Sequence, residues 1–365
     1  MNLQEGRIGR QEATCLGWMA VVVSGLFFPN AASLYTHGNA NYLVTAVTVL
    51  LLYAVFFLVT GAMERRGAAH FGMLLQDGLG KAGGIVAGLI LVLVLVVAAA
   101  VPLIQFQVAL LEYVFPNAEL PNLSLFFLPA ILALACAGLE TLGRTARVCF
   151  WPVAIAFLLP LLLPITSYET YHLFPLPFEA PAAILQQGVT GLSRGLPAVV
   201  AMLVCARGLH GVRNVSRCGT IAILAGGALV FVSQLCIGMI YSYKELQVTL
   251  FPMYRMVLTS NSGIYLRLDK LLLFLWVLSG VLTSGFYLYA AALLYCQVTG
   301  LRDVRPAALS LGCCAGTLVL LAGISVADWM RPFASAVMDQ LYLAALLPPV
   351  LAAFVASCRK ERLAR

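Results

Sequence analysis

Apolar residues fill this chain in long uninterrupted runs rather than with the alternation of a soluble fold. Ten such runs fall at about 13–35, 41–62, 83–114, 122–139, 146–166, 183–206, 217–242, 269–297, 306–327 and 332–357. About 20 apolar residues as a helix cross the ~30 Å hydrocarbon layer of a bilayer. The pattern therefore predicts an all-α, polytopic membrane protein with ten transmembrane helices in a single domain, 1–365. The run at 83–114 is unusually long, which predicts a strong tilt or a protruding end, with Pro102 as a site for a kink.

Two connections hold apolar residues of their own. Between Glu64 and Lys81 lie His70, Phe71, Met73, Leu74 and Leu75, the pattern of a short amphipathic helix at a membrane interface. Between 244 and 268, Val248, Leu250, Phe251, Met253, Tyr254 and Met256 predict a loop helix folded back on the bundle. Arg267 and Asp269, at the end of that loop, read as an ion-paired anchor.

Composition agrees with a membrane location. Of 365 residues, 62% are hydrophobic and only 10% charged, with mean hydropathy +0.95. Soluble domains carry roughly 25% charged residues. Of the 22 Lys and Arg residues, 16 fall on alternate connections. They are Arg7 and Arg10; Arg65, Arg66 and Lys81; Arg144 and Arg147; Arg207, Arg213 and Arg217; Arg302 and Arg305; and Arg359, Lys360, Arg362 and Arg365. By the positive-inside rule both termini face the cytoplasm. The net charge of +7 is thus spent on orientation beside anionic lipid heads, not on nucleic acid. Arg7 and Arg10 before an apolar stretch resemble a signal peptide, but the stretch runs on and reads as an uncleaved first span.

Five spans per half is an odd number, so 1–167 and 168–365 would cross the bilayer with opposite senses, as an inverted repeat. Such repeats hold substrate near the midplane, where discontinuous helices expose backbone groups. Span 1 carries Ser24-Gly25 and then Pro29; span 6 carries Gly191, Ser193, Gly195 and Pro197. Gly and Pro favour interruption, so helices 1 and 6 are expected to be broken there. Ordinary kinking and small-residue packing would use the same residues.

The candidate ligand-binding residues follow from these breaks. They are Ser24, Gly25 and Leu26 on span 1; Val101 and Gln105 on span 3; Arg194, Gly195, Leu196 and Val199 on span 6; and Thr283 and Tyr287 on span 8. Thr283 and Tyr287 are spaced i, i+4 and share a helix face, although interhelical hydrogen bonding would use them equally. Ser279, Ser284 and Asp339 form a possible ion or proton site. A charge at the bilayer centre costs ~2.5–3.5 kcal/mol on insertion scales. Arg194 would therefore need a carboxylate from Glu112, Asp339 or a ligand, unless span 6 starts later and Arg194 snorkels to the surface.

Catalytic chemistry has no signature here. The chain lacks H-E-x-x-H, C-x-x-C, a carboxylate cluster, a P-loop and G-x-S-x-G, so neither an enzyme, a metal site nor a cofactor is expected. The ten cysteines are scattered and read as small apolar residues in packed helices.

The stretch Leu250-Phe251-Pro252-Met253-Tyr254-Arg255-Met256-Val257, then Leu266-Arg267-Leu268-Asp269 and Trp276, resembles the spore germination permeases, the B subunits of germinant receptors in the amino acid–polyamine–organocation superfamily. Gly9-Arg10-Gln11 and Leu79-Gly80-Lys81 fit the same family. The resemblance implies the leucine-transporter fold, with spans 1 and 6 unwound around a small ligand such as an amino acid. It implies other germinant receptor subunits as partners, and a place in the spore inner membrane or cell membrane. An H⁺- or Na⁺-coupled amino acid or amine transporter is the alternative, because the fold serves both. Members often carry a Gly-rich, sometimes Gly-Glu, segment in span 6; here it reads Gly191-Leu192-Ser193-Arg194-Gly195-Leu196-Pro197, which leaves the ligand type open.

Overall fold

In the computed structural model, residues 6–27, 41–68, 70–117, 120–174, 181–249, 251–260, 268–324 and 345–355 are described. Regular structure among them is helical throughout. The helices are α1 (Arg10–Phe27), α2 (Asn41–Arg66), α3 (Phe71–Tyr113), α4 (Leu120–Ala137), α5 (Leu139–Leu162), α6 (Pro181–Val204), α7 (Val212–Ile240), α8 (Tyr243–Val248), α9 (Pro252–Ser260), α10 (Leu268–Thr299) and α11 (Val304–Ile324). A shorter apolar helix, α12, covers Ala345–Val355. Seven helices, α2, α3, α5, α6, α7, α10 and α11, are long and apolar enough to cross a membrane. α1 is apolar beyond its first turn, and α4 and α12 are shorter apolar helices. Exposed apolar side chains such as Phe57, Leu93, Trp151, Ile155 and Phe274 cover the outside of the bundle, as a lipid solvent requires.

The helices pack in two groups. α2 lies against α6 and α7, and α1 against α7 and α6. α3 runs along α10, and α4 and α11 pack on both. α5 touches α1 on one side and α10 on the other, while α6 meets both α10 and α3. The line between the groups, where α1 and α6 face α3 and α10, is where candidate residues from separate spans meet.

Glycine shapes this packing in a way that overturns one expectation. The interruption expected in span 6 does not occur, since α6 is helical from Pro181 to Val204 through Gly191 and Pro197; in span 1, α1 is helical through Ser24-Gly25 to Phe27, and Pro29 lies outside the described residues. On α6, Gly188, Gly191 and Gly195 form a stripe against α2. A Cβ on them would lie 2.4 Å from Val47, 2.3 Å from Thr48 and 2.5 Å from Leu52. On α1, a Cβ at Gly25 would lie 2.7 Å from Val230 of α7. These glycines let helices approach, the small-residue use seen between membrane helices. Thr48 Oγ1 reaches across the same seam to the Gly188 carbonyl, 3.2 Å away.

The helix of the third span is longer than its apolar run, and its break in helical backbone is at Gly80, with Pro102 inside the helix. Gly80 has φ +80, which a glycine adopts without strain, so Phe71–Leu79 is a separate turn of helix hinged to the rest. Phe71, Leu74 and Leu75 are fully buried, so the apolar face of this amphipathic helix packs into the protein. The loop helix expected between 244 and 268 is present as α8 and α9. Phe251, Met253, Tyr254, Met256 and Val257 are buried, so α9 folds back on the bundle. The loop is anchored by a hydrogen bond at Asp269. Asp269 accepts a hydrogen bond from the Tyr254 hydroxyl at 3.0 Å, while Arg267 lies outside the described residues.

Candidate functional site

Helix α10 brings a ladder of hydroxyls to the boundary between the two groups. Ser279, Thr283 and Tyr287 recur every four residues, so they stack on one face. All three are fully buried, as is Ser284. Their fates differ. Ser279 donates to the Trp276 carbonyl of its own helix at 2.6 Å, which commits it locally and weakens its candidacy for an ion site. Tyr287 crosses to α1. Its hydroxyl lies 2.6 Å from Ser24 Oγ and donates to the Ala20 carbonyl at 3.2 Å. A phenol has one proton, so Ser24 supplies the proton of the shorter bond. One side chain of α10 thus grips two successive turns of α1.

Thr283 Oγ1 and Ser284 Oγ have no hydrogen-bond partner among the described residues. An unpaired buried hydroxyl costs about 1–3 kcal/mol. Helix Ser and Thr residues can usually bond back to a carbonyl four residues earlier, as Thr45, Thr48 and Thr60 do on α2. Two adjacent hydroxyls oriented otherwise leave polar capacity beside the Ser24–Tyr287 contact. That capacity can serve a water, a polar ligand or a monovalent cation. It is poorly suited to a divalent metal, and no cluster of His, Cys, Asp or Glu able to hold one occurs among the described residues.

The remaining predicted residues fall on the surrounding helices. Val101 and Gln105 are buried on α3, and Leu196 and Val199 are buried on α6. Leu26 and Gly25 are half-buried near the end of α1. Arg194 and Gly195 are half-buried. Because α6 starts at Pro181, Arg194 sits about 20 Å along the helix at 1.5 Å per residue. Glu112 is exposed in the last turn of α3, which does not suit an interior counter-charge. Asp339 lies outside the described residues.

An aromatic layer separates the hydroxyls from α9. Phe27, at the end of α1, lies 4.7 Å from Phe106 of α3, 6.0 Å from Phe157 of α5 and 5.6 Å from Trp276 of α10, between ring centroids. Trp276 stacks on Phe157 and donates its indole N–H to the Ala156 carbonyl at 3.0 Å. Tyr254 of α9 continues the layer, 6.4 Å from Trp276 and 4.3 Å from Tyr113. Trp276 is seven residues before Thr283, about 10 Å along α10. The only available signal was aromatic spacing, which is common to any packed core. Two buried amide contacts were also missed: Asn41 donates to Gln234 at 2.9 Å, joining α2 to α7, and Ser124 of α4 donates to Gln107 of α3 at 3.2 Å.

Two groups at loop ends carry clear shifts. Glu245 accepts from the Ser242 N–H and hydroxyl, which holds its carboxyl below the usual range. Burial, then the charge of Arg207, pushes the His70 imidazole below its usual range, with Asp77 opposing.

This architecture is shared with known transporters. A Na⁺-coupled sialic acid symporter in a substrate-bound, outward-open state superposes with a TM-score of 0.64 at 12% identity, over 93% of this chain and 79% of the symporter. Two mutants of the manganese transporter of Eremococcus coleocola superpose with a TM-score of 0.54 at 14% identity, over 94% of this chain and 77% of theirs. These likenesses establish the leucine-transporter fold and nothing about ligand. No curated protein matches the chain. The pattern of the family described as spore germination protein matches residues 18–324, most of the length. The chain is therefore an integral, multi-pass membrane protein of transporter-like build, and it belongs to the spore germination permease family.

Proposed function

We propose that this protein is the membrane subunit of a spore germinant receptor. It binds a small nutrient, an amino acid, between α1, α3, α6 and α10, and passes the signal to other receptor subunits. The observation that carries the reading is the pair of buried, unpartnered hydroxyls, Thr283 and Ser284, beside the Ser24–Tyr287 contact. Arg194 on α6 is the cationic candidate for the ligand carboxylate. Val101, Gln105, Leu196 and Val199 supply the surrounding wall.

The reading includes ten spans in two inverted halves, with both termini cytoplasmic. The helix pairing supports it. Spans 1 and 2 pack with 6 and 7, and spans 3 and 4 with 8 and 9, as a pseudo-twofold would require. Because α6 is helical throughout Pro181–Val204, it meets the ligand with side chains and not with opened helix ends. A receptor needs only different affinities for two conformers, so binding shifts their populations without turnover.

A second reading, an H⁺- or Na⁺-coupled amino acid transporter, draws on the same hydroxyls. Two neighbouring neutral oxygens suit Na⁺, and the sialic acid symporter is Na⁺-coupled. The two are separated by reconstituting the full chain in liposomes with each of the proteinogenic amino acids, radiolabelled, under Na⁺ and H⁺ gradients. Saturable binding without accumulation is expected. Gradient-driven accumulation would favour the transporter and overturn the receptor-only reading, and absence of binding would contradict both.

A further inference from the structure

Gln297, near the end of α10, is buried where three helices meet. Its Nε2 donates to the Val204 carbonyl at 3.1 Å, and its Oε1 accepts the Gly72 N–H at 3.3 Å. Both partners are helix-end groups. Val204 is the last α-helical residue of α6, which tightens into a 3-10 turn at Cys205–Arg207, and Gly72 lies in the first turn of α3. Such groups have no partner within their own helix. The amide works in one orientation only: flipping it would set N–H against N–H and oxygen against oxygen. Gly72 fits closely here, because a Cβ would lie 3.1 Å from the Gln297 Cβ.

The contact spans the boundary between the two packing groups. α6 belongs with α1, α2 and α7, whereas α3 and α10 form the other group. We propose that Gln297 is a latch that holds the end of α6 against α3 and α10, and that it must release before this end of the protein opens. Water can replace both hydrogen bonds on opening, so the latch is reversible. Cys205, next to Val204, lines a narrow apolar cavity with Met202, Leu209, Cys218 and Phe286, into which the opening would admit solvent. The inference rests on the proposed function only in that the two groups move relative to each other; it needs no ligand.

Cys205 follows Val204 directly and is buried, so it reports on the latch. Cys296 is equally buried, sits on α10 and donates to the Asp303 carbonyl, so it reports on general loosening. The full chain is prepared with Cys205 or Cys296 as its single cysteine, in native membranes, and labelled with N-ethylmaleimide. In Gln297→Leu both hydrogen bonds are lost. In Gln297→Glu the carboxylate still accepts from Gly72 but cannot donate to Val204. Both variants should label Cys205 about tenfold faster, the effect of losing one or two buried hydrogen bonds, with Cys296 unchanged. Unchanged Cys205 labelling in both, or an equal rise at Cys296 in Gln297→Glu, would overturn the latch. A rise at Cys205 in the variants, with no effect of any amino acid on wild-type labelling, would sustain the latch and count against the ligand reading instead.

Discussion

The Tyr287 hydroxyl, 2.6 Å from Ser24 Oγ and 3.2 Å from the Ala20 carbonyl, ties α10 to α1 where the two packing groups meet. The tie joins neutral groups in a buried setting, so its strength does not depend on an ion and can be removed by deleting one oxygen. Tyr287→Phe keeps the ring and loses both contacts, leaving Ser24 short of a partner. A loss of about 1–3 kcal/mol in stability is expected, read as a lower melting temperature of the purified protein. Unchanged melting would show that the contact does not hold α1.

The glycine stripe on α6 gives a second prediction. Gly191→Ala places a methyl group 2.3 Å from Thr48 Oγ1, and Thr48 already bonds two carbonyls. Overpacking of this kind costs about 1–3 kcal/mol. The variant should melt lower, and Thr48→Ala should restore part of the loss. If Gly191→Ala alone melts at or above the wild-type temperature, the close α2–α6 approach is not needed.

His70 sets a pH dependence. Its Nδ1 accepts the Met73 N–H at 3.1 Å and caps α3, which requires the neutral ring. With its pKa lowered in the fold from 6.5, the unfolded chain binds more protons in the window below that value. The His70 contribution is thus complete above pH 6.5 and declines as pH falls toward the lowered folded value. His70→Asn keeps a capping oxygen that does not titrate. Melting temperature followed from pH 7.5 to 5 should fall less steeply in His70→Asn than in wild type; identical slopes would remove His70 as the cause.

The loop helix α9 is held by a capped approach and one buried hydroxyl. Ser242 and Glu245 form a capping box at α8, and Tyr254 donates to Asp269. Tyr254→Phe leaves the Asp269 carboxylate without that donor while keeping the ring contacts to Trp276 and Tyr113. Faster proteolysis within 244–260 is expected, with the helical signal of the bundle retained. Equal proteolysis would mean that ring packing alone docks α9.

Much of this architecture could be read from hydropathy, because the bilayer demands long apolar helices and the apolar loop segment at 251–257 had to be buried somewhere. Thr283 and Tyr287 were legible as one face of α10 from their spacing alone. The break expected in span 6 is absent because glycine serves two ends that look alike in sequence: freeing a backbone, and letting another helix come close. Gly191 and Gly195 do the second, which only the position of Thr48 and Leu52 reveals. The Tyr254 donor to Asp269 was not legible, because charge pointed to Arg267, which lies outside the described residues, and a tyrosine 15 positions away carries no pairing signal. Gln297 lay beyond sequence reasoning, since its partners are backbone groups of two helices far away in the chain.

Thr283→Val tests the central claim most directly. Valine matches threonine in shape and removes only the unpartnered hydroxyl, so the fold should lose no stability and the protein should reach the membrane in wild-type amount. Germination of spores whose own copy is replaced by wild type or Thr283→Val is followed across the proteinogenic amino acids. The account predicts a response to at least one amino acid in wild type that Thr283→Val reduces by tenfold or more in sensitivity, at equal protein level, in line with about 1.4 kcal/mol or more of lost binding. An undiminished response in Thr283→Val would contradict it.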